Sequence, residues 1–294
     1  MKLWCFEDAH DWGSKLAQVA QARGHDAHLF DDPRKPDFGH VFMHMHHHPS
    51  VRILHKRVMA IMAMNPELIL IPDYQSSVFY DDKLEQARRF ARWMPRTHVY
   101  YTPGAARRAL DANQIALPFM SKGSEGASSH NVRVVSTIDE ARLEIRHAFS
   151  DVGIKCRHGQ TQRGYLLWQE FVADNDADVR VLAIGTKRCV IRRANKGTNG
   201  AGDVTPVTNL SPDIESALVQ ANLFFDHEQL KWACIDMVQD RNTKRWLILE
   251  TSVAWTMHGY YESRFFDVQG NAQDHKGNQV WDVLVSELEN GVWG

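Results

Sequence analysis

Apolar residues at Leu16, Val19 and Ala20 recur at helical spacing, which predicts a helix from Gly13 to Arg23 that Gly24 stops. Lys2 to Phe6 reads as a strand before it, Ala27 to Phe30 as a second and Val41 to His46 as a third. Val51 to Met64 carries an amphipathic stripe and ends at Asn65-Pro66, and Leu68 to Ile71 is a strand closed by Pro72. Asp82 to Met94 reads as a further helix, closed by Pro95. Strands alternating with helices imply a parallel sheet covered by helices, here over residues 1–95.

The pattern changes after Thr102. A helix over Ala105 to Ala112 leads to a strand, Leu117 to Met120, and a Gly/Ser-rich loop, Ser121 to Asn131. Val132 to Val135 (strand), Thr137 to Phe149 (helix) and Tyr165 to Val172 (strand) complete a small α+β unit over 96–172. From Val179 the strands read as antiparallel. Val179 to Ile184 and Arg188 to Arg192 flank a hairpin turn at Gly185-Thr186-Lys187, and Trp232 to Val238 and Trp246 to Glu250 flank a polar turn. Helices over Ile214 to Phe225 and Val280 to Leu288 complete a third unit, 173–294. Ligands favour clefts between such units.

The composition narrows the function. A formal net charge of -2 provides no global basic field, so nonspecific nucleic-acid binding is not indicated. Cys5, Cys156, Cys189 and Cys234 lie far apart and form no CxxC pair, which argues against a disulfide framework or structural zinc site and fits a reducing cytoplasm. The first residues lack the apolar run of a secretory signal, and no stretch approaches the roughly 20 apolar residues of a membrane helix.

Three features carry candidate chemistry. The first is Lys122, delivered by a strand to a loop with Gly123, Ser124, Gly126, Ser128 and Ser129, where small residues let backbone N–H groups approach phosphate oxygens. The loop is not a P-loop, since GxxxxGK[ST] is absent. The second is Asp236 in the strand WACIDMV with Glu250 at the end of WLILE; two carboxylates at one sheet edge suit Mg²⁺. The third is basic: Arg180, two residues after Asp178, and Arg192-Arg193 after the next strand suit phosphate and carboxylate recognition. Taken singly, a turn, a solvated strand end and a charged edge are the plainer readings.

Together these motifs resemble the ATP-grasp superfamily across nearly the whole chain, on the pattern of ribosomal-protein glutamate ligases and glutathione synthetase. The resemblance implies an α/β pre-grasp domain, a small lid subdomain and a larger antiparallel subdomain, with ATP between the last two. FYDDKLEQARRF resembles the segment supplying a first nucleotide lysine, Lys83, and PFMSKGSEGASSHNV the one supplying the second, Lys122. YLLWQEFV resembles the hinge strand, which places Gln169, Glu170, Phe171 and Val172 at the adenine. DVRVLAIG and VIRRANKGTNGAG resemble the stretches that set Asp178 and Arg180 near the nucleotide and Arg193 and Asn199 near phosphate and substrate. CIDM and LILETS resemble the metal strands, giving Asp236 and Glu250.

Two departures are visible. The family's Glu-x-Asn is Glu250-Thr251-Ser252 here, so a weaker oxygen ligand, Ser252, stands in the third metal position. In VFMHMHHHP, His44 replaces a pre-grasp arginine and becomes a substrate-contact candidate. As a strand, this run would set His44, His46 and His48 on one face; a polar strand end facing the substrate cleft is preferred over a metal centre. In VAWTMHGYYESRFF, Trp255, His258, Tyr260 and Tyr261 are candidates for an aromatic acceptor wall, against plain core packing.

The implied activity is an ATP- and Mg²⁺-dependent carboxylate–amine ligase working through an acylphosphate, with Arg193 and Arg180 at the transferred phosphoryl group. Amino acids, peptides, a protein terminus or a modified nucleobase remain open as substrates, and a homo-oligomer is expected by resemblance. The competing readings are a nucleotide-binding module without catalysis and a dinucleotide-binding protein; FEDAHDWG lacks the GxGxxG of the latter.

Overall fold

Leu3 and Cys5 alternate with less buried neighbours along Lys2–Phe6 (β1), which therefore sits at the centre of a parallel sheet with one buried face. The structure, a computed structural model, describes the chain except residues 9, 126–130, 157–158, 160, 196–200 and 294, and the side chains of 195, 201, 202 and 258. Asp26–Phe30 (β2), Gly39–Phe42 (β3) and Leu68–Ile71 (β4) complete the sheet in the order β2-β1-β3-β4, all parallel. Trp12–Ala22 (α1) and Pro49–Met62 (α2) connect these strands. After β4 comes a short helix the sequence reading did not give, Tyr74–Phe79 (α3), and the helix expected over Asp82 to Met94 is the shorter Lys83–Arg89 (α4). Asp81, in the left-handed region at φ 50°, breaks them apart, and the Asp82 carboxylate then caps α4 by accepting from Glu85 N at 3.1 Å.

Thr97–Tyr100 (β5), Phe119–Lys122 (β6), Val132–Val135 (β7) and Leu166–Glu170 (β10) form an antiparallel sheet in the order β5-β10-β6-β7. Pro103–Asp111 (α5) and Ile138–Ala148 (α6) cover it. A capping box between Thr137 and Glu140 starts α6. Ile154–Lys155 (β8) and Thr161–Gln162 (β9) make a small separate ribbon.

The third sheet has seven strands: Ala177–Ile184 (β11), Lys187–Asn195 (β12), Ala201–Pro206 (β13), Trp232–Gln239 (β14), Trp246–Ser252 (β15), Arg264–Phe266 (β16) and Ala272–Lys276 (β17). Their order is β15-β14-β11-β12-β16-β17, with β13 also on β12. Pro212–Glu228 (α7) and Val280–Glu289 (α8) pack on it. The β11–β12 turn is tight because Ile184 pairs with Lys187 and Gly185 takes φ 56°. A Cβ at Gly185 would lie 2.4 Å from Glu287 Oε2 of α8.

Two hydrophobic cores result. One is continuous from the parallel sheet into the seven-stranded sheet, joining Leu3, Leu16 and Phe42 to Leu182, Ile235 and Leu284. The other belongs to the middle sheet and its helices and includes Leu110, Phe119, Ile145 and Trp168. No helix among the described residues is long and apolar enough to cross a membrane. All four cysteines are free thiols, three of them buried.

Candidate active site

Strand register builds the first half of the site. On β11, Arg180 stands opposite Asp236 of β14, and Asp236 stands opposite Glu250 of β15, so a cation and two acids share one cross-strand rung. Asp178, two residues before Arg180 and on the same face, stands opposite Arg193 of β12. Arg180 holds Asp236 through both carboxylate oxygens, at 2.5 and 2.8 Å. Arg193 holds Asp178 the same way, at 2.7 and 2.9 Å, and places its Nη2 2.7 Å from Asp236 Oδ2. Burial alone would raise the Asp236 carboxyl, but the charges of Arg180 and Arg193 and their hydrogen bonds hold it well below the carboxylate range. Burial and the charge of Asp236 push Asp178 upward.

The two lysines arrive from different units. Lys83, the first residue of α4, is buried and reaches Glu250 Oε1 at 3.1 Å and Asp81 Oδ1 at 3.9 Å. Its helix is fixed to β15 by a reciprocal pair: Gln86 Nε2 donates to Thr251 O at 2.8 Å, and Thr251 N donates to Gln86 Oε1 at 3.0 Å. Lys122 ends β6 and donates to Leu249 O at 3.2 Å. Burial pushes the Lys122 amine down to about 8; Glu250 opposes the shift and Lys83 adds to it. Ser124 latches the middle unit to α4: its carbonyl accepts from Lys83 N at 2.8 Å and its hydroxyl donates to Asp82 Oδ1 at 3.1 Å. Two lysines, two arginines and three acids are thus brought together where the middle and third sheets meet.

No protein-family model and no curated protein matches the chain. Solved structures match it over its whole length. A RimK-domain ATP-grasp protein from Sphaerobacter thermophilus aligns over 100% of both chains at TM-score 0.61 and 14% identity. The D-cycloserine synthetase DcsG aligns over 99% of this chain and 100% of its own at 0.64 and 15%. A RiPP-associated ATP-grasp ligase from Chryseobacterium gregarium, in complex with ADP and a leader and core peptide, aligns over 99% and 97% at 0.63 and 11%. This chain has the ATP-grasp fold.

The remaining candidate residues are placed in different ways. Gln169 is buried on β10 and donates to Thr97 Oγ1 at 2.9 Å, while its Oε1 is buried without a partner among the described residues. Glu170 ends the strand, and its N–H is engaged by Arg96 O at 2.9 Å; Phe171 and Val172 follow β10, with Phe171 exposed. Gly126, Ser128 and Asn199 lie outside the described residues, as does the side chain of His258. The Ser252 hydroxyl is tied to its own turn, donating to Ala254 O and accepting from Ala254 N at 3.2 Å.

The histidine run departs from the strand reading. β3 stops at Phe42, so His44, His46 and His48 occupy a non-strand segment and do not share a strand face. The chain must turn here to start α2 at Pro49, whose fixed φ suits a first helical position. His44 is buried, stacks on Trp12 with centroids 4.3 Å apart and lies 3.5 Å from Asp8 Oδ1. Burial would raise Asp8, but the His44 hydrogen bond and the amides of Gly13 and His10 hold it at about 2. Trp255 packs at 5.7 Å from Trp12 and 4.8 Å from Trp232, inside the large core rather than on an open wall. Tyr260 is likewise fully buried, whereas Tyr261 is exposed.

Sequence reasoning missed Arg52, Asp81 and Glu125. Arg52 is buried on α2, pairs with Asp81 Oδ2 and lies 2.9 Å from Glu125 Oε2 of the Lys122 loop. A cation on the buried side of an amphipathic helix was the available signal, because an unpaired charge is rarely placed there.

The acid pair suits a hard divalent cation. Asp236 and Glu250 offer carboxylate oxygens from neighbouring strands, and Glu250, with its side chain about one-third exposed, keeps an oxygen free of Lys83. Asp236 makes three guanidinium contacts, and a carboxylate has about four lone-pair directions, so it retains one.

Proposed function

We propose that the protein is an ATP-dependent ligase that activates a carboxylate as an acylphosphate and joins it to an amine. The observation that carries this reading is the convergence of Lys83, Lys122, Arg180, Arg193, Asp236 and Glu250, contributed by three separate units, on one cleft.

Lys83 and Lys122 bind the α- and β-phosphates. Gln169 and the backbone of Glu170, Phe171 and Val172 border the adenine, with Ser124 at the mouth of the loop that also carries Gly126 and Ser128. Asp178 and Asp236 hold Arg193 and Arg180 in fixed orientations, so these guanidiniums meet the charge developing on the γ-phosphoryl without reorganising. Mg²⁺ held by Asp236 and Glu250, with Ser252 nearby, would neutralise the phosphate oxygens. The substrate carboxylate attacks the γ-phosphorus and ADP leaves; the amine then attacks the acyl carbon, expels phosphate and sheds a proton. Lys83 and Lys122 are both buried, and a site kept dry around bound nucleotide would protect an acylphosphate from hydrolysis. His44 is assigned to the substrate side, with Trp255 acting from beneath through Trp12 and His44, and the family resemblance assigns Asn199 and His258 to the substrate as well.

The substrate class is an amino acid or peptide. The ATP-grasp ligase PsnB has been solved with a precursor peptide and AMPPNP and with a minimal precursor, Mg and ADP, and this likeness is what favours peptides over a modified nucleobase. The test is phosphate release from ATP and Mg²⁺ across a panel of amino acids and peptides, with Lys122→Ala and Asp236→Asn as controls. Turnover equal to wild type in both variants would remove the reading.

The closed Ser252 turn supports a second reading, a nucleotide-binding protein without turnover. ATP binding combined with no phosphate release on any acid–amine pair would select it.

A further inference from the structure

Outside the nucleotide cleft, the main concentration of chemistry is histidine. His10, from the loop between β1 and α1, meets His46 and His47, from the turn before α2. One ligand nitrogen from each lies within 4.8 Å of the others, and their exposure runs from half-buried at His46 and His47 to exposed at His10. The rings are face to face: His10 and His46 are stacked at 5.5 Å, and His46 and His47 at 4.6 Å.

We propose that His10, His46 and His47 form a second metal site, for a divalent transition metal of borderline softness such as Zn²⁺ or Co²⁺, with the fourth position open. Imidazole nitrogens select such ions over Mg²⁺, and three protein ligands plus one open position is the pattern of reactive zinc sites.

Two features of the surroundings favour it. Asp8 organises the cluster from behind: its carboxylate accepts from His10 N at 2.8 Å and Gly13 N at 3.1 Å, and lies 3.5 Å from His44. That fixes the loop bearing His10, the kind of outer support metal ligands have. On the other side, Arg52 N donates to His48 O at 2.9 Å, and Arg52 Nη1 donates to His47 O at 3.2 Å, so the turn bearing His46 and His47 is held by the first turn of α2.

The geometry also states what must change on binding. Tetrahedral Zn–N bonds place ligand nitrogens about 3.4 Å apart. The three nitrogens, now up to 4.8 Å apart, must therefore close in. Rotation of the solvent-facing rings accomplishes this by splaying the stack. His46 Nδ1 now accepts from His48 N at 2.9 Å, and that hydrogen bond is given up or moved when the ring turns to the metal. Through Arg52, which also pairs with Asp81 and Glu125, the site borders the lysine end of the cleft.

The experiment uses full-length, tag-free protein stripped with a chelator and titrated with Co²⁺, then Zn²⁺, in excess Mg²⁺. One equivalent of Co²⁺ with an intense tetrahedral visible spectrum, displaced by Zn²⁺, is expected. His46→Ala and His10→Ala should each weaken binding at least about tenfold, and Asp236→Asn should leave it unchanged. His10 is exposed, so its variant separates ligation from folding. A weak octahedral-type spectrum, binding indifferent to the histidine variants, or binding lost in Asp236→Asn would each overturn the proposal. The result does not depend on ATP turnover and so stands or falls apart from the ligase reading.

Discussion

The middle unit and the rest of the molecule are built on opposite plans. The parallel sheet and the seven-stranded sheet, far apart in sequence, share one core, so they resist separation by the same buried surface. The middle sheet has a core of its own and meets the body through polar contacts such as those of Ser124 and Lys122. Lys83 thus rides on the body, pinned by Gln86 to Thr251, while Lys122 rides on the middle unit. A nucleotide gripped by both lysines would tie the two plans together, and the cost of opening would then depend on what is bound.

The largest effect should come from the body. Asp236→Ala strands Arg180 and Arg193 without their shared acid, an expected loss of about 3–5 kcal/mol in unfolding stability. Asp236→Asn, milder for folding, should lower turnover about 10²–10³-fold. Denaturant melts and phosphate release measure the two; a stability change below about 1 kcal/mol for Asp236→Ala would mean the arginine clamp is not formed.

Core truncations come next. Leu182→Ala and Ile145→Ala each remove a fully or almost fully buried side chain, at a cost of about 2–5 kcal/mol. Native-state hydrogen exchange should show Leu182→Ala loosening both outer sheets together and Ile145→Ala loosening the middle unit alone. Identical exchange patterns would erase the distinction between the plans. Gln86→Ala leaves Thr251 groups unpaired in a buried place and should cost about 1–3 kcal/mol. Its nucleotide affinity should fall through Lys83, read by isothermal titration; an unchanged affinity would show that α4 needs no anchor.

Lys122 sharpens the comparison through pH. Its amine sits near 8 instead of the usual 10.5. From about 8 to 10.5 the unfolded chain holds a proton that the folded chain has released, so stability from this group rises with pH across that window. The proposed phosphate contact needs the charged form, so nucleotide binding should weaken about tenfold per unit above pH 8, measured by the same titration. A flat profile from 7 to 10 would remove Lys122 from the phosphates. The smallest effect is Thr137→Ala, about 1 kcal/mol from the capping box of α6, confined to the middle unit.

Much of this was legible in the chain. Asp236 and Glu250 sit in apolar strand patterns whose antiparallel pairing puts them opposite each other, and the hairpin at Gly185-Thr186 was marked by its glycine. Local pattern failed where tertiary contacts decide. Asp82 to Met94 has the periodicity of one helix, and the Asp82 cap starts it where expected, yet α4 ends at Arg89 and the missed α3 precedes it. His44 to His48 alternates like a strand, but β3 runs out of a partner after Phe42 pairs with Ile71. Arg52 could be seen as a charge among apolar residues, but its partners, Asp81 and Glu125, are remote and carry no signal of pairing. Trp255 shows why residue type alone misleads: an aromatic after a metal strand serves a wall and a core equally well in one dimension.

The last helix has a consequence for how the protein is made. α8 lies against α1, with Arg23 donating to Asp282 O and Ser286 Oγ and His25 bonded to Glu289, while Glu287 closes the Gly185-Thr186 turn through Thr186. A ribosome must therefore release residues 280–289 before the first sheet finds its final partner, whereas the middle sheet is complete once residue 170 has emerged. Nascent chains arrested before residue 280 should carry a protease-resistant fragment around 97–170 on an otherwise digestible chain, and uniform digestion would refute that order of assembly.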